Sequence, residues 1–335
     1  MSLGRSVGVT DTGRRRRHNE DSYVCEPPLF AIADGMGGAQ AGEVASRLAA
    51  SVLNEWTLGD PEADERGEAR IAELIQEANR RVFQRSNEDA AASGMGTTMT
   101  VALVDDEAGT VAIGHVGDSR AYRVRDGELE QLTEDHSLVN ELLKSGRLSP
   151  EEALSHPQRS VITRAIGTEP DVDVDTFTVD ARTGDLFLLC SDGLTDMISD
   201  EEILGLVERG EGDLETAARR LVEAANRSGG GDNITVVAFT IVEGAEGTEE
   251  TQRLPVEQAT DDEDTLSGLE GVPVVDTGVL SAADVREHLE PGPTVEAGPA
   301  VEPPQSRPRR RILPLLLLIL LLAAIAALVV WGLYR

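Results

Sequence analysis

Three aspartates stand at the tips of strongly apolar runs in this chain of 335 residues. Asp34 closes Leu29-Phe30-Ala31-Ile32-Ala33. Asp192 comes two residues after Leu186-Phe187-Leu188-Leu189-Cys190, and Asp232 precedes Asn233-Ile234-Thr235-Val236-Val237. Such runs pass through a core, so an acid at each tip lies at the rim of that core. A lone carboxylate there is costly, and several converging ones repel unless a cation sits between them. Oxygen-only ligands suit hard divalent ions, Mg2+ or Mn2+. Neither His-x-x-x-His nor a cysteine pair is present to hold zinc. Two such ions a few ångström apart can hold a hydroxide nucleophile and shield an anionic substrate. The competing explanation for an Asp-Gly step is plain turn chemistry, and Asp126-Gly127 is read that way.

The run Arg14-Arg15-Arg16-Arg17 lies just before His18-Asn19-Glu20-Asp21. It fits a solvated basic turn, or a nucleic-acid or lipid patch. Beside an acid cluster, one of its guanidiniums could instead grip a phosphate bidentately. Gly35, Gly37, Gly38, Gly94, Gly96, Gly117 and Gly229–Gly231 flank the apolar runs and let backbone approach something closely. They form neither a P-loop nor a G-x-G-x-x-G fingerprint.

Several elements must position these residues. Val44, Leu48, Val52 and Trp56 make one apolar helical face; Ile71, Leu74, Ile75, Ala78 and Val82 make another. Leu214, Ala218, Leu221, Val222 and Ala225 make a third. Strands are expected at Leu29–Ala33, Thr97–Val104, Thr110–Val116, Leu186–Cys190 and Ile234–Ile241. Ala121–Val124 and Leu129–Leu132 flank Asp126-Gly127, a hairpin signal. Helices arrive in blocks rather than after every strand, which favours α+β layers over a doubly wound parallel sheet.

Composition bounds the possibilities. Hydrophobic residues make up 40% of the chain, enough for a core. Acids outnumber Lys and Arg 61 to 30, a net charge of −31. That argues against a nucleic-acid partner bound through phosphate neutralisation. Two cysteines, Cys25 and Cys190, make no disulfide scaffold. Met1 to Arg17 has no apolar stretch and is not a secretory signal. One lysine, Lys144, stands against 29 arginines, as codon usage in a GC-rich genome would give. The acidity is alternatively a halophile's solvation strategy.

Three parts are expected: a globular domain over 1–243, a flexible acidic linker over 244–308, and a basic flank with a transmembrane helix over 309–335. The linker carries 15 acids and three arginines, too polar to offset the entropy of ordering. Ile312 to Tyr334 contains no charged residue. Its 23 residues would extend ~34 Å as a helix, enough for a hydrocarbon core of ~30 Å. Arg309, Arg310 and Arg311 precede it, so the positive-inside rule keeps the large N-terminal part cytoplasmic, on a single-pass anchor in the cell membrane.

The motifs in register resemble the metal-dependent protein phosphatases of type 2C, the PPM family. They are Arg16-x-x-Asn19-Glu20-Asp21, Asp34-Gly35-Met36-Gly37-Gly38, Gly96-Thr97-Thr98 and Val116-Gly117-Asp118-Ser119-Arg120. Thr163-Arg164-Ala165-Ile166-Gly167, Ser191-Asp192-Gly193-Leu194 and Gly231-Asp232-Asn233-Ile234-Thr235 follow. The resemblance covers about residues 5 to 243. It implies a four-layer α-β-β-α sandwich of two mostly antiparallel sheets flanked by helices. It also implies a site for two Mn2+ or Mg2+ ions. There Asp34 bridges both, the Gly35 carbonyl joins the first, and Asp192 and Asp232 bind the second. Glu20 and Asp21 would hold metal-bound waters, Asp118 would help bind a third, weaker metal, and Arg16 would grip the phosphate. The implied reaction is hydrolysis of phospho-Ser and phospho-Thr in protein substrates by a metal-bridging hydroxide, opposing a bacterial Ser/Thr kinase. Many eukaryotic relatives carry a general-acid His where this chain has Met36. A metal-bound water is then the first candidate for that acid, ahead of His136 and His18. Cys190 is expected to be a packed core residue. Two further readings differ in function: a non-catalytic module that shelters phosphoproteins, and a stress-response phosphatase acting on an anti-sigma-factor antagonist.

Overall fold

The computed structural model describes residues 1–37, 41–59, 67–89, 92–153, 156–210 and 212–244, together with the backbone of 278–279. Strands β1 (Ser2–Asp11), β2 (Asp21–Glu26) and β3 (Leu29–Met36) lead into helices α1 (Ala41–Leu58) and α2 (Glu68–Glu88). A run of strands follows: β4 (Gly96–Thr97), β5 (Met99–Asp105), β6 (Thr110–Val116), β7 (Arg120–Arg125) and β8 (Glu128–Gln131). Short helices α3 (Leu138–Lys144) and α4 (Pro150–Ala153) precede β9 (Val161–Ile162), β10 (Asp175–Asp180) and β11 (Leu186–Cys190). Helices α5 (Asp192–Thr195), α6 (Asp200–Glu208) and α7 (Leu214–Arg227) lead to β12 (Ile234–Val242). Gly278–Val279, β13, pairs in parallel with β9.

The main strands form two antiparallel sheets, ordered β1-β12-β11-β7-β8 and β10-β6-β5-β3-β2. The alternation along β3 explains how they stack. Phe30 and Ile32 point into the core between the sheets, whereas Leu29, Ala31 and Ala33 pack against α1 and α2. Along β12, Val237, Phe239 and Ile241 enter the inter-sheet core while Val236 and Ala238 face α5–α7. Both faces of these central strands are covered, which is why apolar residues stand on both of their faces. Phe239 joins the sheets by stacking on Phe30, with ring centroids 4.2 Å apart, and on Phe187 at 5.1 Å. The α-β-β-α layering expected from the sequence is therefore present among the described residues.

Most elements fall where the sequence puts them. The Asp126-Gly127 hairpin has φ of 53° and 79°, the left-handed pair that a tight two-residue turn requires. Two expectations are corrected. The buried face of α1 runs through Ala45, Ala49, Val52 and Leu53, while Val44 is exposed and Leu48 and Trp56 are only half-buried. Small residues face inward because α1 lies hard against β3: a methyl group on Gly42 would sit 2.8 Å from the Gly35 carbonyl. The strand expected over Thr97–Val104 is divided at Thr98, whose backbone N–H donates to the Asp34 carbonyl at 2.9 Å.

Among the described residues no helix is long and apolar enough to cross a membrane. The expected transmembrane segment, and the expected linker apart from Gly244 and the backbone of 278–279, lie outside the described residues.

Candidate active site

Strands of both sheets end together at one edge of the sandwich, and the acids singled out by sequence sit on those ends. Asp21 opens β2 and Asp34 lies near the end of β3, directly opposite each other in register. Asp118 follows β6, Asp192 follows β11 as the first residue of α5, and Asp232 precedes β12. Backbone packing there is tight. A methyl group on Gly35 would lie 2.2 Å from the Gly42 carbonyl oxygen, and one on Gly193 would lie 2.0 Å from that of Asn233. Glycine is what lets α1 and the Asp192 turn close on the strand ends.

Hydrogen bonds fix the frame. The Asp34 N–H donates to Thr98 Oγ1 at 3.1 Å, and Thr97 Oγ1 donates to the Asp34 carbonyl at 2.8 Å. Asp21 Oδ2 accepts from Ser191 Oγ at 2.9 Å and from Thr235 Oγ1 at 2.5 Å. Asn233 is the hub. Its Oδ1 accepts from the Glu20 N–H at 2.8 Å, and its Nδ2 donates to the Thr12 and His18 carbonyls at 2.9 Å each. The Glu20 carbonyl accepts from the Gly35 N–H at 3.1 Å and from Ser46 Oγ at 2.5 Å. Glu20 is thus tied to Gly35 through main chain and, through the Asn233 side chain, to the residue next to Asp232.

The electrostatics of the cluster are unfavourable as they stand. Loss of solvation raises the Asp34 carboxyl well above its usual range, and the charges of Asp21, Asp192, Asp232 and Asp118 raise it further. Asp192 is raised for the same reasons, with Asp118, Asp232 and Asp196 as its nearest repellers. Desolvation lifts Asp118 to about 7, with Asp135 and Asp196 adding to it. It lifts Asp21 to about 6 against the opposing hydrogen bonds from Thr235 and Ser191. Asp21 Oδ1 and Asp192 Oδ1 are cut off from solvent and have no hydrogen-bond partner. An array of desolvated, mutually repelling carboxylate oxygens is the donor set a hard divalent cation takes. The residues present therefore fit such ions, although among the described residues no three of these side chains already stand at metal-holding distances.

Arg16 enters this cluster in a way the sequence did not indicate. Its Nη2 donates to Asp232 Oδ2 at 2.7 Å, so the expected phosphate grip and an expected metal ligand hold each other. A guanidinium so placed can trade a carboxylate for a phosphoryl group, since both accept the same planar fork. Arg16→Ala is expected to raise KM for phosphopeptides about tenfold or more, with a smaller change in kcat. Steady-state kinetics check this, and an unaltered KM would assign the grip to a neighbouring arginine.

Asp196 was missed by sequence reasoning. It lies one helical turn after Asp192, and the four-residue spacing was the available signal. Its carboxyl is also raised, chiefly by burial. The two histidines considered as proton donors are held by other contacts. His136 is buried, with Nδ1 accepting from the Gly117 N–H at 3.1 Å and Nε2 facing Asp175 Oδ2 at 3.1 Å. It ties the turn before Asp118 to β10, while the exposed His18 is held by its carbonyl. Cys190 is fully buried in β11, its thiol pushed up to about 12 by desolvation, so it is no nucleophile.

A family model described as Protein phosphatase 2C matches residues 14–229. The chain belongs to the protein phosphatase 2C family. Among the family's curated members, the "Serine/threonine protein phosphatase PstP" of Mycobacterium tuberculosis is 39% identical over 285 residues. That match covers 85% of this chain and 53% of PstP, so the chain spans about half the length of that relative. The "Serine/threonine phosphatase stp" of Listeria monocytogenes is 43% identical over 236 residues, covering 68% of this chain and 92% of the relative. A crystal structure of the PstP catalytic domain in complex with two manganese ions superposes with a TM-score of 0.66 at 38% identity. It covers 72% of this chain and 99% of that one. The protein phosphatase 2C fold and the described layers of this chain therefore coincide.

Proposed function

We infer that this chain is a metal-dependent protein-serine/threonine phosphatase, a phosphoric monoester hydrolase, anchored to the cell membrane by Ile312–Tyr334. The observation that carries the catalytic reading is the convergence of Asp21, Asp34, Asp118, Asp192 and Asp232 at one edge beside the Arg16 guanidinium. The manganese in the PstP structure and the names of the relatives support it.

In this reading Asp34, the Gly35 carbonyl, Asp192 and Asp232 hold two Mn2+ or Mg2+ ions, and Asp118 helps hold a third. When bound, the ions supply an activated water and neutralise charge on the phosphoryl oxygens. Glu20 and Asp21 accept hydrogen bonds from ordered waters and orient them. Arg16 turns from Asp232 to the equatorial oxygens of the phosphoryl group, where charge grows as the ester bond breaks. Met36 offers no proton, so the leaving Ser or Thr oxygen takes its proton from water. The buried Cys190 plays no part, and no phospho-enzyme forms.

The anchor reading rests on the 23-residue uncharged stretch with Arg309–Arg311 before it, which leaves the catalytic domain, 1–243, on the cytoplasmic side. A Ser/Thr kinase is the expected counterpart there. Two measurements test the proposal. The full chain should hydrolyse phosphothreonine peptides only with Mn2+ or Mg2+ present; metal binding without turnover would favour a module that merely shelters phosphoproteins. A chain ending near residue 310 should keep its specific activity and leave the membrane fraction, whereas continued pelleting would refute the topology.

A further inference from the structure

Arg16 is absorbed by the catalytic reading, but the other three arginines of the run are not. Arg14, Arg15 and Arg17 are exposed on the loop that carries Arg16 to Asp232. That loop is held in place rather than free. Asn233 Nδ2 grips the Thr12 and His18 carbonyls on either side of the arginines, and the Arg14 N–H donates to the Gly230 carbonyl at 2.9 Å. Gly13 is pressed so closely to Asp232 that a methyl group on it would lie 2.1 Å from the Asp232 carbonyl oxygen. The arginines are therefore presented at a fixed distance from the catalytic edge.

Beside the loop lies an open groove of about 400 Å3 lined by Asp11, Gly13, Arg14, Glu223, Asn226 and Arg227. It brings Arg227, more than two hundred residues away in sequence, next to Arg14. The two acids in the groove balance its two arginines in charge. Asp11 Oδ1 accepts from the Gly13 N–H at 2.8 Å and from Asn226 Nδ2 at 3.0 Å, and Glu223 lies 3.7 Å from Arg227. The chain as a whole is strongly anionic, with a net charge of −31. Screening confines each charge to about 8 Å at physiological salt, so an arriving ligand senses mainly the charges around it. Arg15 and Arg17, exposed on the same loop, add cation beyond that balance, so the mouth is locally far more cationic than the chain as a whole.

Resting on the phosphatase reading above, we propose that Arg14, Arg15, Arg17 and Arg227 form a cationic rim. It selects phosphopeptides with a further anionic side chain beside the scissile phosphoresidue. The anion is a carboxylate or a second phosphate; guanidinium pairs with either in the same forked geometry. The rim recognises what flanks the scissile group, whereas Arg16 recognises the group itself.

The test uses the full chain in detergent micelles with Mn2+ and three phosphothreonine peptides: one with neutral flanks, one with two glutamates, one with a second phosphoserine. The expected result is a kcat/KM at least tenfold higher for an anionic peptide than for the neutral one, shrinking as salt rises. The Arg14→Ser, Arg15→Ser, Arg17→Ser triple variant should bring that ratio to twofold or less. A folding defect would lower all peptides alike and leave the ratio, so the single variant Arg15→Glu serves as a second reading and should lower the ratio below the wild-type value. Which anionic peptide gains more tells carboxylate from phosphate. A wild-type ratio near one, or a ratio untouched by the variants, overturns the rim. So does a triple variant that changes only retention on phosphatidylserine vesicles, which would assign the arginines to lipid. No hydrolysis of any peptide would overturn the phosphatase reading itself.

Discussion

Asp34→Asn is expected to lower kcat by on the order of a thousandfold or more while making the metal-free protein more stable. The activity loss follows from the place of Asp34 between Asp21 and Asp192. Removing groups that only orient a metal ligand costs about 10–100-fold, and removing a residue proposed to hold the metal itself is expected to cost more. The stability gain follows from the same crowding. The folded state raises the Asp34 carboxyl well above its ordinary value, first by desolvation and then by four neighbouring carboxylates. Above both the folded and unfolded values the native protein carries an ionised group it holds poorly, and asparagine removes that burden without changing the shape. Below the unfolded value, near 4, the substitution gains nothing. Asp192→Asn should behave alike. Thermal melts in chelator at pH 8, alongside Mn2+-dependent turnover, test the pair. Wild-type activity would remove either residue from the catalytic edge, and a lower melting temperature would contradict the repulsion.

The second large effect is a reciprocal dependence on metal and pH. Asp21 and Asp118 titrate at about 6 and about 7 in the folded chain, against 3.8 when unperturbed. Between about pH 4 and 7 the folded state binds more protons than the unfolded one, so stability of the metal-free protein falls as pH rises through that window. A divalent cation replaces those protons and restores what ionisation removed. At a free concentration of about 100 times Kd, binding adds ~2.7 kcal/mol. For a domain of this size that is a rise of roughly 5–10 °C in melting temperature. The rise should be larger at pH 8 than at pH 5.5, where cations compete with protons for the same oxygens. Differential scanning calorimetry with and without Mn2+ at both pH values decides it. Equal shifts at the two would mean that the ions bind away from these carboxylates.

How much of this was legible in advance follows from where each element sits. The central strands β3, β5, β6, β11 and β12 are covered on both faces, so apolar residues stand on both faces and these runs announce themselves. The longer strands that escaped prediction, β1, β2 and β10, are all at sheet edges. There one side is wet and the apolar run is interrupted by glycine, serine and charge. Asp34, Asp192 and Asp232 stood out because each ends a covered strand. Asp118, two residues past β6, and Glu20 and Asp21, at the start of the edge strand β2, were assigned only through the family resemblance. The Arg16–Asp232 ion pair and the Asn233 hub join residues more than two hundred positions apart, and no local pattern encodes such a contact.

The pairing of β1 with β12, from Ser2 opposite Val242 to Asp11 opposite Ile234, has a consequence for biosynthesis. β1 must wait for β12, made more than two hundred residues later, before its hydrogen bonds can form. Arg16 and Glu20 meet Asp232 and Asn233 through that same late closure. A nascent polypeptide that ends before Asp232 therefore carries only part of the proposed site, and on the phosphatase reading competence arrives only once β12 has closed against β1.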